Sequence, residues 1–355
     1  MTRPADASTA RPPRSSGSGD GAAASLRTAL DREGLRAFTR SLGADLVGFA
    51  AVADLETELP EAARPSTIAY GMRTFVVLAK RTLRGVTWAR HLPSKQLAGG
   101  RALRALDHAA ESLVRELEAG GHPSLPVSSA ALDFVLRGPL DLTPAGQGSV
   151  LLRHAAVHAG LGTWGLNLMV LTREHGPRVF FGGAMTTLEV EPDRRLEGEL
   201  CLGLEECGRC AAICPEDAIA RRAPVGAGPA AGRGLDAAAC ARSSQPFGFH
   251  AFTEHLAHIV EGGEAKEMWT RMRTRKTGEM WSEMAMMKEA ALTGCSECVQ
   301  VCPVGDDFAA IQSTPHRRSD LPDPLPRTIE NGVVEVPSLG PQVRRKLEWD
   351  RAVKK

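Results

Sequence analysis

The stretch CLGLEECGRCAAICPEDAIA (residues 201–220) carries four of the eight cysteines in a chain of 355 residues. Within it, CGRCAAICP (207–215) has the spacing Cys-x2-Cys-x3-Cys-Pro, and CSECVQVCP (295–303) repeats that spacing residue for residue. Cys240 stands alone between the two runs, and residues 1–200 contain no cysteine. Cysteines used as small core hydrophobes would scatter along the chain. These are segregated and patterned.

A two-residue gap lets neighbouring thiolates converge on one metal centre, whereas a three-residue gap swings the last thiolate away. The proline that follows fixes φ and supplies no N–H, so it ends the local turn. Bacterial two-cluster ferredoxins hold their iron–sulfur clusters with such runs, the last cysteine of each run serving the other cluster. Two 4Fe–4S clusters need eight thiolates, and eight are present. On that rule Cys201, Cys207, Cys210 and Cys302 hold one cluster, and Cys214, Cys240, Cys295 and Cys298 hold the other. Cys201 lies six residues before Cys207, further than a ferredoxin run would place it, so residues 202–206 must loop out. Paired Cys-x2-Cys units also build zinc ribbons, a reading that leaves the two Cys-Pro steps and the equal gaps without a role.

Hydrophobic residues make up 43 % of the chain and charged residues 24 %, ordinary for a soluble globular protein. A formal net charge of +1 advertises neither a nucleic acid nor a membrane surface as partner. No apolar run reaches the roughly 18 residues of a membrane span. Residues 1–25, rich in Pro, Gly, Ser and Ala, read as a disordered tail without a secretory or twin-arginine signal. The expected compartment is the cytoplasm, where reducing conditions favour cysteines as metal ligands or redox groups over structural disulfides.

Residues 26–192 read as one domain of mixed α/β (α+β) class. Helical periodicity runs up to Gly43, and LVGFAAV (46–52) and TFVVLAK (74–80) are short buried strands. GGRALRALDHAAESLVRELEAGGH is an amphipathic helix ending at Gly120 and Gly121, opened by a loop, HLPSKQLAGGR (91–101). SVLLRHAAVHAG (149–160) is another helix, with Ser149 as N-cap and Gly160 as its C-terminal glycine. NLMVLT and RVFFGGAMTTLEV are two strands joined at the turn REHGP. Residues 193–312 form a two-cluster, ferredoxin-like module with an exposed Gly/Pro/Ala loop (221–234). It also carries a Met- and Trp-rich helical insert (245–292), and residues 313–355 are a C-terminal tail. The insert either packs on the first domain or forms an adaptable wall over a site, since Met-rich surfaces re-pack readily. A pure electron carrier has no need of the preceding cysteine-free domain. The inference is a reductase whose first domain binds the terminal acceptor.

The segment AGLGTWGLNLMVLTREHGPRVFFGGAMTTLEVEPD (159–193) precedes the divided cysteine module and LDAAACA (235–241) with its lone cysteine. Together they resemble the cobalamin-dependent reductive dehalogenases and the related epoxyqueuosine reductases. The resemblance implies a nitroreductase-like domain that holds cobalamin with no protein side chain as lower axial ligand, fed with electrons by the two clusters. In keeping with it, the chain has no Asp-x-His-x-x-Gly corrinoid motif. It implies further that Gly160, Gly162, Gly165 and Asn167, then Gly176, Arg178 and Gly182, approach the corrin, where a missing side chain allows close contact. Arg178 would take a corrin carboxamide or a substrate anion. These glycines read equally well as turn formers, and Arg178 as a solvated strand end. Lys95 lies in the helix-opening loop, whose backbone amides favour anions; that loop reads as a contact to cofactor or substrate, or as a plain connection.

The chain also departs from these families. Gly146 occupies the place, fourteen residues before the GLG turn, where epoxyqueuosine reductases carry their acidic proton donor, and TWGLN replaces a Lys-containing segment. No helical-repeat domain follows, so action on transfer RNA is not expected. Tyr70, the single tyrosine, sits away from the place of the dehalogenase acid.

Reduction at a low-potential centre needs a proton as well as electrons. His154 and His158, one helical turn apart, and Asp141 in GPLDLTP are the candidate donors; the alternatives are helix-surface histidines and a turn aspartate. Three functions follow. The first is a reductase using both clusters and a corrinoid to cleave a C–O or C–halogen bond in a small molecule, with a ferredoxin or flavodoxin as electron donor. The second is a reductase using flavin mononucleotide (FMN) on the same kind of fold. The third is a non-enzymatic electron-transfer or corrinoid-activating partner, with the Met/Trp insert as docking surface.

Overall fold

The computed structural model describes residues 31–340 apart from 88, 90, 131, 136–144, 149, 246–248, 276, 279–280, 282–293, 313–320 and 323. The first half runs α1 (Arg32–Ser41), β1 (Leu46–Ala51), α2 (Val52–Glu58), β2 (Thr74–Arg81), the short α3 (Arg84–Thr87), the long α4 (Leu92–Ala119) and β3 (Ser124–Val127). A hairpin follows, β4 (Leu132–Val135) with β5 (Ala145–Gly148), then α5 (Val150–His158). Two short strands, β6 (Thr163–Trp164) and β7 (Val170–Leu171), lead to β8 (Val179–Thr186).

The central sheet has the order β1-β2-β8-β3, every neighbouring pair antiparallel. Side chains alternate across its faces. Phe49, Val76, Leu78 and Ala184 pack with Leu35 of α1 and Leu106, Leu113 and Leu117 of α4. Phe75, Val77 and Met185 pack on the other face with Leu55 of α2 and Leu151, Leu152 and Ala155 of α5. Helices on both faces explain why TFVVLA is apolar throughout: no position of β2 before Lys80 meets water. Asp193, just past β8, ties this unit together. It accepts from Arg32, from Arg36 Nη2 at 2.9 Å and from the Phe49 backbone N–H at 2.9 Å.

The second half contains α6 (Gly203–Glu206), α7 (Arg209–Ile213), β9 (Arg222–Pro224), α8 (Ala237–Ser244), α9 (Phe249–Val260) and α10 (Ala265–Met272). The helical turns α11 (Glu297–Gln300) and α12 (Phe308–Gln312) follow, then β10 (Thr328–Glu330) and β11 (Val333–Glu335).

Four expectations change. The segment HLPSKQLAGGR is helix rather than loop: α4 starts at Leu92, with Pro93 in its first turn, where a missing N–H costs nothing. β7 pairs with β6 and not with β8, while REHGP is closed by a bridge from Thr172 to Gly176. The C-terminal segment is no tail, since β10 and β11 join β9 in an antiparallel sheet and bury Val334 and Val336 in the cysteine-bearing core. In the insert, α10 buries no side chain and packs against α9, leaving Trp269 57 % exposed. Ser149 and residues 1–25 lie outside the described residues. Among the described residues no helix is long and apolar enough to cross a membrane.

Candidate metal centre

The third core is built around the cysteines. Cys201 and Cys214 are buried among Leu204, Ala211, Ala212, Ile213, Val301 and Val336, with Cys210, Cys240, Cys298 and Cys302 packed at its edge. The required loop-out between Cys201 and Cys207 is realised as the single helical turn α6. Gly208 follows Cys207 with φ of 61°, and a Cβ there would fall 2.5 Å from Val336 Cγ1. The left-handed turn and the C-terminal strand both demand glycine at that place.

Cys210 feels Cys298, Cys302, Cys207 and Cys201, and Cys302 feels Cys207 and Cys201. Cys298 feels Cys295, Cys240 and Cys214, and Cys295 feels Cys240 and Cys214. Cys210 and Cys302 thus lie toward Cys201 and Cys207, Cys295 and Cys298 lie toward Cys214 and Cys240, and Cys210 lies toward Cys298 as well. Among the described residues no three His, Cys, Asp or Glu side chains form a group that could hold a metal ion.

Burial pushes the thiols of Cys295 and Cys302 up to about 12 and those of Cys210 and Cys298 well above their ordinary value. Hydrogen bonds pull the other way. Backbone N–H groups of Arg209, Glu297 and Val304 serve Cys207, Cys295 and Cys302, and the Ala218 N–H lies 3.3 Å from Cys214 Sγ. The side chain of Asn167 serves Cys298. An all-sulfur donor set suits an iron–sulfur cluster or zinc. Burial disfavours the thiolate at Cys210, Cys295, Cys298 and Cys302, and the positive charge of a bound metal would offset what burial takes away. The donor type suits such a group, while the side chains as they stand do not converge on one.

Arg178 is 1 % exposed and forms the joint between the two halves. Its guanidinium donates to the carboxylate of Asp307 (Nη2 to Oδ1, 2.6 Å) and to the carbonyls of Val299, Cys302 and Val304. It is therefore neither a solvated strand end nor a group turned toward a corrin carboxamide. A Cβ on Gly176 would meet the Val304 oxygen at 2.0 Å, so glycine there lets residues 173–178 lie against residues 302–307. On the other side, buried Lys95 reaches Ser296 Oγ at 3.0 Å, between Cys295 and Cys298.

The remaining candidates are dispersed. A Cβ at Gly160 or Gly162 would lie 2.2 Å from a backbone oxygen, of Arg194 and of Leu171 respectively; at Gly165 it would lie 2.7 Å from Asn167 Oδ1. At Gly182 it would meet Leu106 and Ser129 at 3.1 Å. These glycines accommodate the chain itself. His158 is buried with its Nε2 3.1 Å from Glu58 Oε2 and beside the Arg195 guanidinium; burial, then Arg195, lowers its pKa. His154 sits edge-on to Trp164 at 5.0 Å between centroids, its pKa also lowered by burial. No described contact brings either histidine to a cysteine. Asp141 lies outside the described residues, and Tyr70 is 87 % exposed. Gly146 lies in β5, which packs against the Cys240 helix α8. Sequence reasoning missed Asp307, the partner of Arg178; the GDD that follows the second Cys-Pro was the available signal.

Among solved structures the chain is similar to an epoxyqueuosine reductase bound to an epoxyqueuosine-modified tRNA-Tyr stem loop, with 17 % identity and a TM-score of 0.44, covering 77 % of this chain and 64 % of that one. It is similar to a reductive dehalogenase described as B12-dependent, with 17 % identity and a TM-score of 0.45, covering 79 % of this chain and 39 % of that one. It is also similar to the epoxyqueuosine reductase of Streptococcus thermophilus, with 16 % identity and a TM-score of 0.42, covering 77 % and 65 %. These are the protein types that the sequence resembles, and the chain spans less than two thirds of the length of each. No protein-family model and no curated protein matches it.

Proposed function

We propose that the chain is an oxidoreductase of the epoxyqueuosine reductase and reductive dehalogenase type that passes electrons through two 4Fe–4S clusters to a terminal carrier in the sheet domain. Cys201, Cys207, Cys210 and Cys302 hold one cluster, and Cys214, Cys240, Cys295 and Cys298 the other. The reading is supported by the two repeated Cys-x2-Cys-x3-Cys-Pro runs and by the packing of Cys201, Cys210, Cys214, Cys240, Cys298 and Cys302 into one core. Bound there, the clusters supply one-electron transfer. The chain's own part is to exclude water from the sulfurs, to turn N–H groups toward them, and to hold the Cys302 loop against the sheet domain through Arg178. Hydrogen bonds and burial of this kind set cluster potentials.

A corrinoid as terminal carrier rests on the sequence resemblance. Gly160, Gly162, Gly165 and Gly176 are packed against the chain itself and Arg178 is engaged, so these residues form no corrin cradle, and no step is derived through the group. The substrate class that goes with this reading is a small molecule with a reducible C–O or C–halogen bond, and the donor class a ferredoxin or flavodoxin.

The test is anaerobic reconstitution with iron and sulfide, followed by metal and acid-labile sulfide analysis and electron paramagnetic resonance of the reduced protein. Iron equal to the number of cysteines, with the signals of two interacting clusters, is the expected result. Zinc in place of iron overturns it.

A further inference from the structure

Between Pro192 and Cys201 the chain passes from the sheet domain to the cysteine core with neither helix nor strand. Its two ends are pinned. The Asp193 N–H donates to the Phe49 carbonyl at 2.8 Å, and the Leu200 N–H donates to Thr163 Oγ1 at 2.9 Å. In the middle the backbone rests on the end of α5, where Gly160, with φ of 66°, leaves room for the Arg194 carbonyl. Glu199 pairs with Arg233 of the cysteine half, and Arg195 fastens the linker to the sheet domain.

Arg195 reaches His158, the last residue of α5, and Glu58, the last residue of α2. Its Nη2 lies 2.7 Å from His158 Nδ1, 2.5 Å from Nε2 and 2.5 Å from Glu58 Oε1. His158 is buried, while Arg195 and Glu58 are about half exposed. His158 Nε2 also lies 3.1 Å from Glu58 Oε2. One neutral tautomer serves both neighbours: Nε2–H donates to Glu58, and Nδ1 accepts from Arg195. A second proton goes to Nδ1. It removes the acceptor and sets a cation against the guanidinium, while the bond to Glu58 becomes charge-assisted at both ends. The charged and titratable groups around the ring are Asp54 and Glu58 from α2, Arg153 and His154 from α5, and Arg195 from the linker. Burial, then Arg195, favours the neutral ring.

We propose that His158 is a pH-operated latch on residues 194–200: neutral, it holds Arg195 and keeps the linker against α5; protonated, it keeps Glu58, releases Arg195 and lets the linker lift beside Cys201. The half-exposed guanidinium is free to turn into water when released. The latch is made by the chain alone and does not depend on what the cysteines hold.

The experiment is hydrogen exchange of the full chain at pH 7 and pH 5, corrected for intrinsic rates and read by mass spectrometry on peptides covering 194–200 and β2. In wild type the linker loses about tenfold in protection at the lower pH, the effect of roughly one pK unit of coupling, while β2 is unchanged. His158→Gln, which can still accept from Arg195 but takes no proton, stays protected at both pH values. Arg195→Met, a substitution at a half-exposed position, is loose at both. Equal linker protection at pH 7 and pH 5 in wild type overturns the proposal. So does either variant that keeps the wild-type pH dependence, since the switch would then lie with Asp54, Glu58 or His154. If β2 loses protection in His158→Gln, Arg195→Met decides alone. The same result is expected with and without bound iron, so failure of the two-cluster reading leaves the latch standing.

Discussion

The sheet domain meets the segment around Cys302 and the segment around Cys295 and Cys298 in different ways. Beside Cys302 the contact is dense: the Asp306 and Asp307 N–H groups donate to Arg173 and Glu174 oxygens, Gly176 and Gly305 allow backbone to touch backbone, and Arg178 fills the centre. Beside Cys295 and Cys298 the described contacts are few, with Lys95 on Ser296 and Asn167 on Cys298. The first junction fixes a ligand loop. The second, among the described residues, rests on two polar side chains, Lys95 and Asn167.

The largest effect should come from breaking the dense junction. Arg178→Met leaves the Asp307 carboxylate and three carbonyls without their donor, and removing one partner of a buried pair costs about 3–5 kcal/mol. Denaturant unfolding of the holoprotein should show that loss, and Arg178→Lys should recover only part of it, because a single ammonium cannot replace the planar fork. Next come the ligands. Cys302→Ala and Cys295→Ala should each remove one cluster and about half of the iron, with different surviving resonance signals; a common loss of both clusters would show that the quartets assemble as one unit.

The sparse junction can be sharpened more gently. Asn167→Leu removes a donor from Cys298, so a redox titration should find the potential of that quartet's cluster lowered and the other unmoved. The smallest effect lies away from both. His154 and His158 have pKa values lowered by burial below 6.5, so the unfolded chain binds more protons as pH falls through that value, and stability present above it declines toward the folded-state pKa. Glu58, lowered by Arg195, adds to the decline below 4.5. Thermal midpoints across pH 4–7.5 should fall toward acid, and His158→Gln should flatten the part just below 6.5.

The division of the cysteines was legible because ligand spacing is written in the chain itself. β1 and β2 were legible because unbroken apolar runs of that length suit buried strands. The start of α4 was not, because Pro93 and the Gly99–Gly100 pair read as punctuation while tertiary packing holds them in a helix. The C-terminal hairpin had a signal that was passed over. Asn331-Gly332 between short apolar stretches is a hairpin turn sequence, and both residues have positive φ, 52° and 73°. Arg178 had none, since its carboxylate partner lies 129 residues away.

That hairpin has a temporal consequence. Val336 covers Gly208, and Gly340 lies against the Cys214 carbonyl, so the cysteine core is closed by residues that come after every cysteine in the chain. During synthesis both Cys-Pro runs leave the ribosome before the strand that seals them. The core therefore stays open until that strand has been made, so its closure follows the synthesis of all eight cysteines.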